Sequence, residues 1–391
     1  MEYREMKKVE ESDAVSILEF FKDLPDPRCS INRKHLLGEI MVICICAVLC
    51  GADGPKAIGM WARSKAEWLK KVLELPYGIP SHDTIGRVLA TLKPAAFQAC
   101  FANWIAQLQS AHVPPEAGEV KHIAIDGKAL RRSHDKRKKL GPLFLVSAWS
   151  VECGLSLGQL ATAEKSNEIT AIPALLENLD VKGAIVTIDA AGCQKNIAQQ
   201  IIDGGGHYVL SLKGNQKNIH KDVAAWVEEQ MANDFRDVTA RKLTVTEKSH
   251  GREVTYWYTQ VLVPESLRGR EQWAKLKTLG VAVRYCQQGD KDIYDTRYFL
   301  SSLPLGVQRF AKAVRGHWAI ENTLHWCLDV TFREDESRLR DRIAGDNIAW
   351  LKRFALGLLK QVNNKESIAM RRRMAGWNED FLAQVLAIPC T

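Results

Sequence analysis

At about residue 121 the sequence changes its period. Before that point apolar residues recur at helical spacing. Beyond it come "HIAID", "LFLVSAWS" (143–150) and "GLSLGQLAT" (154–162), three short runs of strand character. "NEITAIPALLENL" is helical, with Pro173 marking a start near that position or a kink. "AIVTIDAAG" (184–192) is a fourth strand, "QKNIAQQII" a helix and "HYVLSLKG" (207–214) a fifth strand. The order is β-β-β-α-β-α-β. Three strands that can pair antiparallel, followed by strands reached through helical crossovers, restrict the chain to an α/β mixed sheet with helices on its faces.

That order matches an RNase H-like core and gives weight to two aspartates. Asp126, in "IAIDGKALRRS", stands at the end of the first strand run, and Asp189, in "VTIDAAG", at the end of the fourth. Asp-Gly after an apolar run is by itself a common hairpin signal, so Asp126 alone reads as a turn. In an RNase H-like sheet, however, the two strands are neighbours and both carboxylates project at one edge. Carboxylates held that close repel unless they are protonated or bridged by cations. A pair of Mg²⁺ ions, hard cations that prefer carboxylate oxygen, is the economical reason to place them there. A third acid is offered by Glu321, which a helical wheel puts on one face with Phe310, Val314, Trp318 and Leu328. The alternatives are a Glu321 paired with His317 or His325, each four residues away, or a ligand role for Asp329, Glu334, Asp335 or Glu336. His317, Glu321 and His325 also have transition-metal spacing, but lack the order of zinc proteases.

The rest of the chain frames this core. Residues 1–112 read as a helical domain, 113–121 as a linker, and 122–362 as the catalytic domain. A β-rich insertion or small subdomain occupies about 215–306, and a basic helical tail follows over 363–391. Within the first domain "GIPSHDTIGRVLATL" has Ser81 as an N-cap and carries Thr84 and Arg87 on an early turn. It reads as a DNA-recognition helix or as one more packing helix. Lys and Arg number 54 against 46 Asp and Glu, too mild an excess to name a partner. Between Lys128 and Lys139, though, stand seven basic residues and one acid, making Lys128, Arg131 and Arg132 candidate phosphate contacts. Lys213, at the end of the fifth strand, is another. "GGG" at 204–206 lacks the Gly-Lys-Ser/Thr of a phosphate loop, and nothing calls for an organic cofactor. The ten cysteines are scattered without zinc spacing and read as reduced thiols of a cytosolic protein. The polar N-terminus has no signal-peptide segment, and the longest apolar run, Ile40 to Cys50, is too short to span a bilayer.

"IAIDGKALRRS", "KSNEITAIPALLENL", "VTIDAAGCQ", "YVLSLKGNQ" and "RGHWAIENTLHWCLDVTFREDESRLR" together resemble insertion-sequence transposases of the DDE class, of the bacterial H-repeat-associated type. "FFKDLPDPR", "GADGPKAIGMWA" and "PSHDTIGRVL" resemble the helical domain that accompanies them. The resemblance implies an Asp-Asp-Glu triad of Asp126, Asp189 and Glu321 holding two Mg²⁺ ions, with Mn²⁺ able to substitute. It implies double-stranded DNA as partner, both element ends and target, and cutting followed by strand transfer. A homodimer on DNA in the bacterial cytoplasm, at the nucleoid, is expected. Relatives with a Tyr-Arg-Glu-Lys signature carry an arginine four positions before the glutamate and a lysine seven after; here those positions are His317 and Leu328. The rival readings are a domesticated or decayed transposase that binds DNA without cutting it, and a plain RNase H-like nuclease that cuts and never joins.

Overall fold

The computed structural model describes residues 18–111, 120–162, 168–249, 252–288 and 291–386. The expected linker therefore lies almost wholly outside the described residues, as do residues 1–17 of the expected helical domain. The N-terminal part forms helices α1 (Leu37–Leu49), α2 (Pro55–Ser64), α3 (Ala66–Val72), α4 (His82–Thr91) and α5 (Pro94–Ala111). Helices α2 and α3 are divided at Lys65. Helix α1 is apolar on every side and buried almost throughout, which suits a central core helix. Ser81 caps α4 as its position suggests, its hydroxyl accepting the Thr84 N–H at 3.2 Å.

The β-β-β-α-β-α-β order is realised. Strands β1 (His122–Leu130), β2 (Leu143–Ser150) and β3 (Leu155–Thr162) form an antiparallel meander. Helix α6 (Glu168–Leu176) leads to β4 (Ile185–Ile188), and α7 (Lys195–Asp203) to β5 (His207–Leu212). Both crossovers return parallel, β4 against β1 and β5 against β4. The stretch read as an insertion or subdomain contributes α8 (Lys217–Ala232) and β6 (Ala240–Ser249), β7 (Arg252–Leu262), β8 (Thr278–Gln288) and β9 (Lys291–Ser301). Because β9 pairs with β5, those strands extend the same sheet, in the order β3-β2-β1-β4-β5-β9-β8-β7-β6. The insertion is thus continuous with the core sheet.

Alternate side chains send the sheet's two faces into different layers. Ile123, Ile125, Val146, Val186 and Leu210 pack with α6, α7 and α8. On the other face lies α9 (Val307–Ala319), whose Phe310 meets Phe299 and Tyr258 edge to face. Beyond it follow a π-helical turn (Ile320–His325) and α10 (Trp326–Val330), then α11 (Arg342–Gln361), α12 (Ile368–Trp377) and α13 (Glu379–Leu386). These last helices share one apolar core with α1–α5, so the N-terminal and C-terminal helical parts meet on one face of the sheet. Asn347 of α11 donates to the carbonyls of Leu89 and Leu92, at 2.9 and 2.8 Å, and closes the end of α4. The arginines of the expected basic tail are partly committed: Arg372 is buried and bonds the Val48 carbonyl at the end of α1, while Arg371 bonds Leu359 and Asn364. The described cysteines are free thiols, and no helix among the described residues is long and apolar enough to cross a membrane.

Among the ion pairs of the described residues, one is almost completely shielded from solvent. Arg353 of α11 and Glu334 are 0% and 1% exposed, with Nη1 and Oε1 2.6 Å apart, and Arg353 Nε also donates to Ser147 Oγ of β2. Removing Arg353 leaves the buried Glu334 with only the more distant Lys128, 3.7 Å away, a loss of up to roughly 3 kcal/mol. Arg353→Met is therefore expected to lower the denaturant midpoint sharply, while Arg131→Met, at an exposed pair, leaves it nearly unchanged.

Candidate active site

Strand β1 and the helix beyond the insertion lie along one another. His122, Asp126 and Lys128 share a face of β1, and each meets a residue further along that helix. The His122 ring fills the place a Cβ on Gly316 would take, 2.4 Å away, so only glycine lets the helix approach here. Asp126 Oδ2 lies 3.5 Å from His325 Nδ1, and Lys128 Nζ 2.7 Å from Asp329 Oδ1. From His122 to Lys128 an extended strand covers roughly 20 Å, and from Gly316 to Asp329 a helix covers about the same. The two elements thus stay in step.

This alignment sets the acids. Asp126 is not at a strand end: β1 runs on to Leu130, and Asp126 faces Ser147 of β2. Nor is Gly127 a turn residue. A Cβ there would fall 2.1 Å from Glu168 Oε1 and 2.6 Å from the Phe144 ring, so the glycine makes room for the buried Glu168 of α6. In the parallel register Ile125 stands beside Ile188, which brings Asp189, the next residue after β4, next to Asp126. Asp189 Oδ1 accepts the N–H groups of Ala191 and Gly192 at 3.1 and 3.4 Å, a local turn that orients the carboxylate. Glu321 stands at the start of the π-helical turn, where its carbonyl takes the Trp326 N–H five residues on. The wheel's regular spacing fails there, and Glu321 is exposed instead of lying within an apolar stripe.

Electrostatics joins these groups. Burial, reinforced by Asp189 and then by Glu321 and Glu168, pushes the Asp126 carboxyl up to about 7. His325 is lowered to about 3 by burial and by Arg353 and Lys128, and His317 to about 4 by burial, against the pull of Asp189. Both imidazoles are neutral at neutral pH. They also lead to different partners, His325 to Asp126 and His317 Nδ1 to Thr187 Oγ1 of β4 at 3.2 Å, which speaks against a two-histidine metal site. Among the described residues no three His, Cys, Asp or Glu side chains are set around one point to hold an ion. What the acids do share is a neighbourhood in which a proton or a cation is favoured on Asp126. The donor set, carboxylates alone, suits a hard divalent cation.

The basic residues sort differently. Lys128, expected at a phosphate, is buried; its ammonium is shared among Asp329, Asp335 and Glu334 at 2.7, 2.9 and 3.7 Å. Those three acids, weighed as ligands from sequence, are thus counter-ions of Lys128 and Arg353, while Glu336 pairs with Arg333. Arg131 is exposed and pairs with Asp335, and Arg132 is exposed nearby. Lys213 is exposed just after β5, where Asn215 Nδ2 donates to the Ala190 carbonyl beside Asp189. Thr84 and Arg87 lie on α4, in the N-terminal helical layer, apart from the acids; its Ile85, Val88 and Leu89 are buried while Arg87 is exposed. Glu168 is a neighbour of Asp126 that motif reading missed, and His325, expected beside Glu321, lies against Asp126 instead. Gly127 was the one available signal for Glu168.

Comparison with known proteins adds the following. Residues 118–358 match the family described as "Transposase DDE domain", and residues 18–105 the one described as "DDE_Tnp_1-associated". The chain is 38% identical over 379 residues to "H repeat-associated putative transposase YhhI" of Escherichia coli (strain K12), covering 95% of this chain and 97% of that protein. It is 39% identical over 377 residues to "Putative transposase YncI" of Escherichia coli O157:H7, covering 95% and 94%.

The raised Asp126 carboxyl has a measurable sign. Its proton contributes stability that is fully present below the unfolded value of 3.8 and is lost as pH rises through about 7. With divalent ions chelated, Asp126→Asn should gain on the wild type in melting temperature across that window and hold its advantage above it. A difference that does not change with pH would contradict the shift.

Proposed function

The chain belongs to the DDE transposase family, and from that premise we propose that it cuts DNA at the ends of its own insertion element and joins the freed ends to target DNA. The observation that carries this reading is the convergence on Asp126: beside β4 and near His325, its half-buried carboxyl is pushed up to about 7 by partial burial first, then by Asp189 and Glu321, residues far apart in the chain. Asp126, Asp189 and Glu321 would hold two Mg²⁺ ions, or Mn²⁺ in their place, which supply Lewis acidity toward the phosphate and acidify the attacking hydroxyl.

The chain's own part is positioning. Asp126 is held by the β1 ladder and Asp189 by its turn N–H groups. Glu321 is held by a helix anchored on either side, through His317 to Thr187 and through Asp329 to Lys128. In the first step these residues set a water in line with the scissile phosphodiester. In the second the freed 3′-hydroxyl takes its place and attacks target DNA, so one constellation serves both steps. Arg131, Arg132 and Lys213 would contact phosphates, which adds affinity and little sequence reading. Reading of the element end falls to α4, through Thr84 and Arg87. Two ends must be cut together, so the working form is a homodimer on double-stranded DNA, in the cytoplasm at the nucleoid.

Two measurements test this reading. With DNA carrying the gene's flanking sequence and Mg²⁺ or Mn²⁺, Asp189→Ala and Glu321→Gln should each lower cleavage by roughly a thousandfold or more while DNA binding persists. Activity surviving in Glu321→Gln removes it as the third acid. Cleavage that is never followed by joining marks a nuclease, and binding without any cleavage marks a relic. Independently of activity, Mn²⁺ should raise the melting temperature of the wild type and not of Asp189→Ala.

A further inference from the structure

Two helices of this fold begin with the same four residues. Helix α7 opens at Gln194-Lys195-Asn196-Ile197 and α8 at Gln216-Lys217-Asn218-Ile219. In each case the isoleucine is buried and the lysine exposed. Helix α7 follows β4 and α8 follows β5, two parallel neighbours, so both begin at the sheet end that carries Asp189. Side-chain bonds hold the two starts together: Gln216 Nε2 donates to the Cys193 carbonyl at 2.9 Å and to Gln194 Oε1 at 3.2 Å.

Between these starts and the loop at Arg268 lies an open groove of about 740 Å³. Its basic wall residues are Lys195, Lys217, Lys221 and Arg268, and its one carboxylate is Asp222. That carboxylate is taken by Arg268, with Nη2 and Oδ1 2.9 Å apart. Lys195 meets only the neutral Gln272 amide. Three lysines therefore carry charge into the groove with no acid on its wall to neutralise them. Its one aromatic, Trp273, is 3% exposed and cannot stack on a base. Positive charge spread along a polar trough, without a stacking surface, suits a run of phosphates better than a single nucleotide.

We propose that this groove binds the phosphate backbone of duplex DNA as it leaves the acids, an inference that rests on the transposase reading above. Lys195, Lys217 and Lys221 supply the charge, and Lys213, exposed at the end of β5, lies at the same end of the sheet. The lysines meet phosphate alone, so they add affinity for any sequence and no discrimination.

The test is the salt dependence of binding to a short labelled duplex of arbitrary sequence. Removing one lysine from a phosphate flattens the plot of log affinity against log salt by about 0.9. Lys195→Ala, Lys217→Ala and Lys221→Ala combined should flatten it by roughly two to three, and Lys217→Ala alone by about one. All three side chains are exposed, so melting temperatures should match the wild type. The control is Lys121→Ala with Lys182→Ala, at the opposite end of β1 and β4, and it should leave the slope unchanged. A wild-type slope in the triple variant overturns the groove and leaves the transposase reading standing. An equal flattening per lysine in the control also overturns it, as a general loss of charge. A wild type that binds no duplex defeats the transposase reading, and the groove with it.

Discussion

The alternation of side chains along β1 is the constraint on which everything else is built. Its one row, Ile123, Ile125 and the bare Gly127, faces α6, α7 and α8. Its other row, His122, Ala124, Asp126 and Lys128, faces the helix that carries Glu321. Because the period is two, a slip of one residue would drive Asp126 under α6 and turn Ile125 toward the acids, so the apolar row specifies where the acid goes. The parallel ladder to β4 then carries that placement to Asp189. Packing and chemistry are settled by one register.

Charge is the second layer of the same design. A half-buried Asp126 among other carboxylates is costly to ionise, which is useful only if a proton or cation is meant to be there. A step further along β1 the signs reverse. Lys128 and Arg353 meet the buried Glu334 and the half-buried Asp329 and Asp335, and a backbone carbonyl, that of Phe332, takes the Lys352 ammonium at 2.9 Å. Buried pairs of this kind contribute little net stability, but they tolerate few alternative arrangements. Their effect here is to fix the segment after α10 to β1 and α11. Burial first, and then the same two cations, keep His325 neutral against Asp126.

Much of this was legible from sequence, and the failures share a physical cause. The element order and its crossovers follow from local periodicity and the rules of connection, which short windows contain, while the neighbourhood of Asp126 and Asp189 follows from the match of that order to an RNase H-like core. Lys128 was misread because its neighbours in sequence are basic, while the acids that claim it stand some two hundred residues away. Gly127 has the look of a turn, and only the packing of α6 shows that it admits Glu168. The helical wheel assumed one period through Glu321, whereas the bond from Trp326 to the Glu321 carbonyl resets it. Likewise, nothing local shows that helices at opposite ends of the chain share a core, or that the insertion's last strand pairs with β5. Each miss is a tertiary partner that a window cannot contain.

The departure from the Tyr-Arg-Glu-Lys pattern can now be given a physical reading. Leu328, where a lysine stands in such relatives, is completely buried in the core shared by the two ends of the chain. His317, where an arginine stands, is a neutral imidazole in a chain of hydrogen bonds, with Thr187 Oγ1 between His317 Nδ1 and His122 Nε2 at 3.2 and 2.8 Å. Thr187 is two residues before Asp189. The helix of Glu321 is therefore tied to the strand of Asp189 by neutral bonds through buried groups, which salt screens far less than it screens surface ion pairs. A charge still reaches this place, from the insertion: Arg297 of β9 lies over the Trp318 ring at 5.1 Å and acts on His317. Since β9 is also the strand that joins the insertion to β5, the element that extends the sheet brings a cation to the helix that lacks the arginine.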